Sequence, residues 1–310
     1  MLLKKIEPKN LTSISGIPSN IKSEIRSMGK LFDARILEQT KAMYLPLLKD
    51  NLLDDIKLER DISYGSNERN LLDIHFLDNN QKNKPVIIFF HGGGFTGGHK
   101  NVEGDLLHGN IPNFFVRRGM IGVNATYRLA PEARWPDGAR DVAFTLSWVK
   151  KNIGAYGGDP SKIILFGQSA GATHVATYTL RKKFHIVEDG PGCAGAILMS
   201  GVYGINSKQI SKNQTAYFGD RSSNYGNMSI LENVDYGNTP VMISSAEYDP
   251  LDLAQFSIEL LLEISVKFGI MPRFKQMLGH NHVSQVYSFG SGDDSVGLEL
   301  IDFVGQVINI

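Results

Sequence analysis

The sequence predicts an α/β protein built on one mostly parallel central sheet with helices on both faces. Segments typical of strands alternate with segments typical of helices along most of the 310 residues. The first strand-like segments alternate apolar and polar side chains, as half-buried antiparallel strands do, whereas later ones are continuously apolar. Alternating strands and helices of this kind form doubly wound sheets. We therefore expect a mixed sheet with its antiparallel edge at the N-terminal strands.

The individual elements follow from the same patterns. The alternating segments 56–62 and 71–77 are the expected antiparallel strands, and the continuously apolar segment 85–90 is the expected central strand. Further strands are predicted over residues 120–124, 163–166, 194–199, 241–246 and 273–278. Helices are predicted over residues 141–151, 172–180, 253–268 and 295–309.

Two regions lie outside this alternation. Residues 1 to about 20 are polar and are expected to form a loosely structured arm. Apolar residues recur at helical spacing from 21 to 50, which predicts one or two amphipathic helices that end near Pro46. Residues 203–238 are rich in Gly, Asn, Ser and Tyr, and form either an excursion over one end of the sheet or a solvated loop.

Composition excludes several classes of protein. The 32 basic and 32 acidic residues give zero net charge, so no electrostatic footprint for nucleic acid or an anionic membrane is expected. The single cysteine, Cys193, allows no internal disulfide. No apolar stretch reaches membrane-spanning length, and the N-terminus lacks the apolar core of a signal peptide. These features lead us to expect a cytoplasmic protein.

A candidate nucleophile lies in Gly167-Gln168-Ser169-Ala170-Gly171. An apolar strand leads into this motif and a helix follows it, so Ser169 occupies the apex of a sharp turn. Glycines on both sides are required because such a turn leaves no room for side chains next to the serine. The pattern predicts a serine hydroxyl at the top of the sheet, beside a helix N-terminus that favours negative charge.

A glycine-rich loop follows the central strand, in the segment His91-Gly92-Gly93-Gly94-Phe95. Successive glycines expose backbone N–H groups without side chains in the way. Two of these groups, with the N–H of Ala170, would surround a developing oxyanion. The loop also has a simpler interpretation as a flexible connection.

A serine hydroxyl needs a base, and the base needs an acid. In strand–turn–helix hydrolases the order along the chain is Ser, Asp or Glu, then His. Asp249 follows a strand end and is the expected acid, with Glu247 as the alternative. His282 is the expected base, and His280 the alternative. The two late histidines lack further ligands at recognisable spacing, so no metal is expected.

Several motifs together resemble the hormone-sensitive-lipase-like esterases of the α/β-hydrolase fold. They are the glycine-rich loop, the Ser169 motif, and the segments 127–132, 158–160 and 249–251. The resemblance extends from about residue 55 to the C-terminus. It implies a catalytic triad of Ser169, Asp249 and His282, an oxyanion hole at Gly93, Gly94 and Ala170, and a small helical N-terminal cap.

The resemblance also implies a division of the chain and a function. Residues 1–50 would form an arm and cap, and residues 51–310 the catalytic domain, with 203–238 as a further cap excursion. Phe95, Gln168 and His280 are candidate pocket-lining residues. The implied activity is hydrolysis of small, apolar carboxylic esters without a cofactor.

The chain departs from the family pattern at two positions of the Ser169 turn and after Asp249-Pro250-Leu251, where the usual charged run is missing. Gln168 replaces the usual Asp, and Ala172 replaces a second glycine. A feruloyl-type esterase and an amidase or arylformamidase of N-formylkynurenine type therefore stay open. A non-catalytic small-molecule receptor is a further alternative, but such receptors typically lose a triad member, and candidates for all three are present here. The expected partner is a small-molecule ester, and a homodimer also stays open.

Overall fold

An eight-stranded sheet forms the centre of the computed structural model, which describes residues 16–50, 55–104 and 106–308. The strands are β1 Lys57–Ser63, β2 Leu71–Phe76, β3 Lys84–Phe90, β4 Ile121–Ala125, β5 Gly158–Gln168, β6 Gly195–Met199, β7 Val241–Tyr248 and β8 Arg273–Asn281. Their spatial order is β1-β2-β4-β3-β5-β6-β7-β8. The pairs β1/β2 and β2/β4 are antiparallel, and all later pairs are parallel. The expected mixed sheet with an antiparallel N-terminal edge is confirmed.

Helices cover both faces of the sheet. Within the described residues they are α1 Ser19–Met28, α2 Ala34–Asp50, α3 Asn110–Val116, α4 Asp137–Asn152, α5 Ala170–Leu180, α6 Lys212–Phe218, α7 Tyr225–Met228, α8 Leu251–Phe268, α9 Ser284–Tyr287 and α10 Ser295–Ile308. The long predicted helices are present with shifted ends. The sequence patterns did not predict α3, α6, α7 and α9, because helices of four to seven residues are too short to show a helical period.

The position of the central strand β3, between helices on both faces of the sheet, explains why its sequence is continuously apolar. Ile88 and Phe90 of β3 belong to the apolar cluster that includes α4, α5 and α8. Ile87 and Phe89 belong to a second cluster, which includes α3 and α10 on the other face. Since successive side chains of a strand point to opposite faces, a strand covered on both sides must be apolar at every position.

The N-terminal helices differ in two details from the expectation. Residues 1–15 of the predicted arm lie outside the described residues, but Ser19 and Asn20 already belong to α1. Helix α2 does not end near Pro46 but continues to Asp50. Leu48, in the last turn, is buried in the second apolar cluster, and this contact stabilises the turn after the proline. The division of the chain at residue 50 stays a prediction.

The segment 203–238 is folded over the carboxyl end of the sheet and is not a solvated loop. It contains α6 and α7. Its side chains Tyr217, Phe218 and Tyr225 are buried in a third apolar cluster, together with Phe95 and Ala170. The segment therefore contacts both the glycine-rich loop and the turn that carries Ser169.

A helix that crosses a bilayer must be both long and apolar. None of the helices within residues 16–50, 55–104 and 106–308 meets both requirements.

Candidate active site

Ser169 lies at a strained turn between β5 and α5. Its φ is 55° and its ψ is −121°, a conformation that residues with side chains rarely adopt. The flanking glycines are required by close approach: a Cβ on Gly167 would lie 2.4 Å from the Gly171 oxygen, and one on Gly171 would lie 2.1 Å from the Phe90 oxygen. The turn thus holds the Ser169 hydroxyl, which is half-buried, above the carboxyl end of β5.

Ser169, His282 and Asp249 form a continuous chain of hydrogen bonds. The distance from Ser169 Oγ to His282 Nε2 is 2.9 Å, and that from His282 Nδ1 to Asp249 Oδ1 is 2.7 Å. A carboxylate only accepts hydrogen bonds, so Nδ1 carries the proton and Nε2 accepts from the serine hydroxyl. The Asp249 side chain is fully buried and His282 is 2% exposed.

The second carboxylate oxygen of Asp249, Oδ2, accepts two further hydrogen bonds. Ser200 Oγ and the Ala246 backbone N–H both donate to Oδ2, at 2.6 Å each. The alternative acid, Glu247, accepts from the Gly279 backbone N–H at 2.6 Å instead. Of the two candidate acids, the structure therefore brings Asp249 to the histidine.

His280 has different partners from His282. Its Nδ1 lies 3.2 Å from Ser284 Oγ, and its Nε2 lies 3.1 Å from Ser295 Oγ. The ring is fully buried, and burial lowers the pKa of His280 to about 3. Of the two candidate bases, the structure thus brings His282 to the Ser169 hydroxyl, and His280 joins β8 to the start of α10.

The glycine-rich loop presents backbone donors near Ser169. The N–H groups of Gly93, Gly94 and Ala170 donate to no acceptor among the described residues. A buried hydrogen bond fixes the start of the loop: the Tyr127 hydroxyl donates to the His91 backbone oxygen at 2.7 Å. Unpaired N–H groups at a helix N-terminus and an adjacent loop provide partners for an anion.

The other predicted pocket residues are buried. Phe95 stacks on Tyr217, with ring centroids 4.5 Å apart and planes at 3°. Gln168 is 3% exposed, and its Nε2 donates to the backbone oxygen of His282 at 3.0 Å. Neither side chain, nor that of His280, presents surface to a ligand in this structure. Their assignment to a substrate pocket stays a prediction.

The N-terminal helices contact the segment that carries His282. Phe32, in the loop between α1 and α2, places its ring edge against the His282 imidazole at a centroid distance of 4.6 Å. Thr40 of α2 accepts a hydrogen bond from the Asn281 amide at 2.9 Å. Asn281 immediately precedes His282, so the N-terminal helices are fastened to the segment that carries the histidine.

Sequence reasoning missed Ser200, Gln285 and the Phe32 contact. Gln285 donates to Ser200 Oγ at 2.8 Å and to the His282 oxygen at 3.1 Å. Ser200 directly follows β6, so the rule that identified Asp249 after β7 could have found it. Gln285 lies in the short helix α9, and nothing in its sequence surroundings indicates this position.

Within the described ranges, His, Cys, Asp and Glu side chains form no group of three or more that could hold a metal ion. Cys193 is half-buried against the first apolar cluster, and burial raises the pKa of its thiol to about 12.

The protein has the α/β-hydrolase fold. The BD-FAE family model matches residues 72–191. Bacterial heroin esterase has a TM-score of 0.69 and 22% identity, over 93% of this chain and 96% of that chain. The carboxylesterase EstE1, cloned from a metagenomic library, has a TM-score of 0.66 and 18% identity, over 88% and 97% of the two chains. These structures establish the likeness in fold.

Sequence relatives extend the comparison. A probable isoprenylcysteine alpha-carbonyl methylesterase from Arabidopsis thaliana is 32% identical over 210 residues, which are 66% of this chain and 39% of that protein. Phenmedipham hydrolase from Pseudarthrobacter oxydans is 34% identical over 120 residues, which are 33% of this chain and 22% of that protein. The chain thus spans well under half the length of these curated relatives. In its fold and motifs, the chain resembles the hormone-sensitive-lipase-like esterases.

Proposed function

We propose that the protein is a serine carboxylesterase that hydrolyses small, apolar carboxylic esters. The observation that carries this proposal is the chain of hydrogen bonds from Ser169 through His282 to Asp249. It gives the serine hydroxyl a neutral imidazole nitrogen to receive its proton, which a serine needs to act as a nucleophile. We assign Ser169 as the nucleophile, His282 as the general base and Asp249 as the residue that orients the base.

The reaction proceeds in two halves. Ser169 Oγ attacks the ester carbonyl while His282 Nε2 takes its proton. The imidazolium then gives that proton to the departing alcohol, and an acyl-serine remains. A water molecule, activated by the same nitrogen, attacks the acyl-serine and releases the acid. Asp249 stabilises the positively charged imidazolium in both halves without itself taking the proton.

Gly93, Gly94 and Ala170 form the proposed oxyanion hole. Their N–H groups have no acceptor within the described part of the chain and lie on the two segments that meet at Ser169. They are available to the negative oxygen of the tetrahedral intermediate. Removing one such donor typically costs about 2.7–4 kcal/mol of transition-state stabilisation.

Apolar surface at the histidine supports an apolar substrate. Phe32 contacts the imidazole and yet remains 45% exposed, and its neighbour Leu31 is also exposed. We propose that α1 and α2, with the segment 203–238, form the cap over the acyl pocket. Since relatives from Arabidopsis thaliana are named methylesterases, methyl esters belong among the substrates to be tested.

We propose that the enzyme acts without a cofactor on a small-molecule ester in the cytoplasm. Zero net charge and a single cysteine support that location. Self-association as a homodimer stays a prediction.

Hydrolysis of p-nitrophenyl esters from acetate to decanoate, with methyl esters alongside, tests the proposal. We expect activity to be highest for short acyl chains. Ser169→Ala and His282→Ala should each lower kcat at least about a thousandfold, because each removes a member of a unit that acts together. Ser161→Ala and His185→Ala serve as matched controls, since these residues lie outside the site, and should retain activity.

Two results would contradict the proposal. One is a folded wild-type protein that hydrolyses none of the esters, in which case formanilide hydrolysis and ligand binding become the functions to test. The other is ester hydrolysis that survives in the Ser169→Ala variant, because the nucleophile would then lie elsewhere.

A further inference from the structure

Gln168 occupies a position between the nucleophile and the base. It is the last residue of β5 and directly precedes Ser169. Its Nε2 lies 3.0 Å from the backbone oxygen of His282 and 3.4 Å from the Nε2 atom of the same residue. Because a carbonyl oxygen can only accept, the nitrogen end of the amide must face it, which fixes the orientation of the side chain.

The other end of the amide contacts the glycine-rich loop. A Cβ built on Gly92 would lie 2.2 Å from Gln168 Oε1. The side chain therefore fills the space between the loop that carries the oxyanion donors and the segment that carries the base. Glycine at position 92 leaves the space that the Gln168 oxygen occupies.

The imidazole of His282 has few polar neighbours. Among the described residues, its ring nitrogens approach Asp249 at Nδ1, and Ser169 and Gln168 at Nε2. The edge of Phe32 covers part of the ring. Asp249 is thus the charged group in contact with the ring, and the side of Nε2 faces neutral groups.

We propose that Gln168 is a positioning residue that fastens the His282 segment to the oxyanion loop and keeps a neutral group beside the catalytic nitrogen. The proposal rests on the proposed esterase function. A carboxylate in place of the amide would stabilise the imidazolium, because opposite charges within about 4–6 Å favour the charged form. Since the imidazolium cannot take the Ser169 proton, activity would then begin at a higher pH.

The side-chain amide of Gln285 also holds the His282 segment in place, so the position of that segment depends only partly on Gln168. Gln285 Nε2 donates to the same His282 oxygen at 3.1 Å. Loss of the Gln168 amide therefore leaves this carbonyl with one donor. We expect a moderate loss of kcat, about threefold to tenfold, which corresponds to one hydrogen bond of ordinary strength.

The test measures kcat and KM for p-nitrophenyl butyrate between pH 4.5 and 9 in two variants of matched size. Gln168→Glu should move the acid limb of the kcat/KM profile upward by about one pH unit, because it adds a charge beside the ring. Gln168→Met removes the hydrogen bond without adding charge. It should lower kcat threefold to tenfold, with KM and the acid limb unchanged.

Circular dichroism and thermal unfolding establish that each variant is folded. If Gln168→Glu does not fold, the pair Gln168→Asp and Gln168→Asn replaces it, with the same expected difference in the acid limb. The proposal is overturned if both variants keep the wild-type acid limb and the wild-type kcat. A merely structural role would lower stability without moving the acid limb of the folded variant.

The Gln168 proposal can also be tested if the protein proves not to be an esterase. If the wild type hydrolyses no ester, the titration of the His282 ring is followed by NMR, with His282→Ala used for assignment. An upward shift of that titration in Gln168→Glu relative to Gln168→Met supports the proposed influence of Gln168 on the ring. Coincident titrations overturn it.

Discussion

The ring of Phe32 meets the imidazole of His282 edge to face, with centroids 4.6 Å apart and planes at 65°. Phe32 belongs to the loop between α1 and α2, whereas His282 follows β8 at the other end of the chain. The two ends of the described chain thus meet at the proposed catalytic base. Because Phe32 is also 45% exposed, it can contact a substrate and the histidine together.

Phe32→Ala tests this relationship. An aromatic pair of this geometry contributes about 0.5–1.5 kcal/mol beyond the burial of its area. We expect KM for p-nitrophenyl butyrate to rise about threefold to tenfold, with a smaller change in kcat. Phe144→Ala is the matched control, since Phe144 is 51% exposed on α4 and should leave both constants unchanged. Equal effects of the two substitutions would contradict the role of Phe32.

Asp249→Asn and Glu247→Gln distinguish the two candidate acids. Asp249 contacts His282, whereas Glu247 accepts from the Gly279 backbone. We expect Asp249→Asn to lower kcat about 10³–10⁴-fold, because the amide favours the wrong tautomer of the base. Glu247→Gln keeps an oxygen acceptor and should change kcat less than about threefold. The assignment fails if Glu247→Gln is the more damaging substitution in steady-state kinetics.

Lys100 should be important for stability. Its fully buried side chain contacts Asp61 at 2.6 Å and the equally buried Asp73 at 2.7 Å. Lys100→Met leaves the Asp73 carboxylate buried without its cation, which typically costs about 3–5 kcal/mol of the free energy of unfolding. The exposed pair of Lys57 and Asp78 provides the control, since Lys57→Met should cost less than about 1 kcal/mol. Urea unfolding measures both, and similar losses would contradict the prediction.

Two buried histidines, His174 and His280, should make the stability of the protein depend on pH. Burial lowers the pKa of His174 and of His280 to about 3, from an ordinary value of 6.5. Between these values the unfolded chain binds a proton at each position that the folded chain does not bind. The free energy of unfolding should therefore fall as pH decreases from about 6.5 toward 3, by up to about 1.4 kcal/mol per pH unit for each histidine.

The variant His280→Gln tests this prediction, because it should change how steeply the free energy of unfolding depends on pH. Urea unfolding between pH 6.5 and 5 should show a shallower decrease in the variant than in the wild type. This window lies above the range in which ordinary carboxylates take up protons. The buried Asp293 carboxylate lies 3.5 Å from His280 Nε2, and burial raises its pKa, so Asp293→Asn is measured as the control. An unchanged slope would mean that His280 is not the source of the acid sensitivity.

The fold was predictable because its signals are local and repeated. The segment 85–90 is apolar at every position since both faces of β3 are covered, and this pattern can be read directly from the sequence. Pro46 misled the prediction of the end of α2, because burial of Leu48 favours one further turn. That contact is made with residues far along the chain, and a local pattern does not contain it.

The site was predictable to a different extent at each residue. Ser169 and Asp249 follow strand ends, where parallel sheets bring side chains together, so their positions carry a signal. Gln168 is predicted to line the substrate pocket, and the sequence carries no signal for the contact of its amide with the His282 backbone. This contact depends on the placement of β8 against β5 across the intervening strands. The Phe32 contact likewise arises from the docking of α1 and α2, which helical periodicity does not specify.

Covalent labelling of Ser169 tests the central claim most directly. The folded protein is treated with a p-nitrophenyl phosphonate ester and digested, and the modified peptide is identified by mass spectrometry. We predict a single phosphonylated serine at position 169, formed with release of p-nitrophenol, and little labelling in His282→Ala. A folded wild-type protein that remains unlabelled, or that is labelled at another serine, would contradict the assignment of Ser169 as the nucleophile activated by His282.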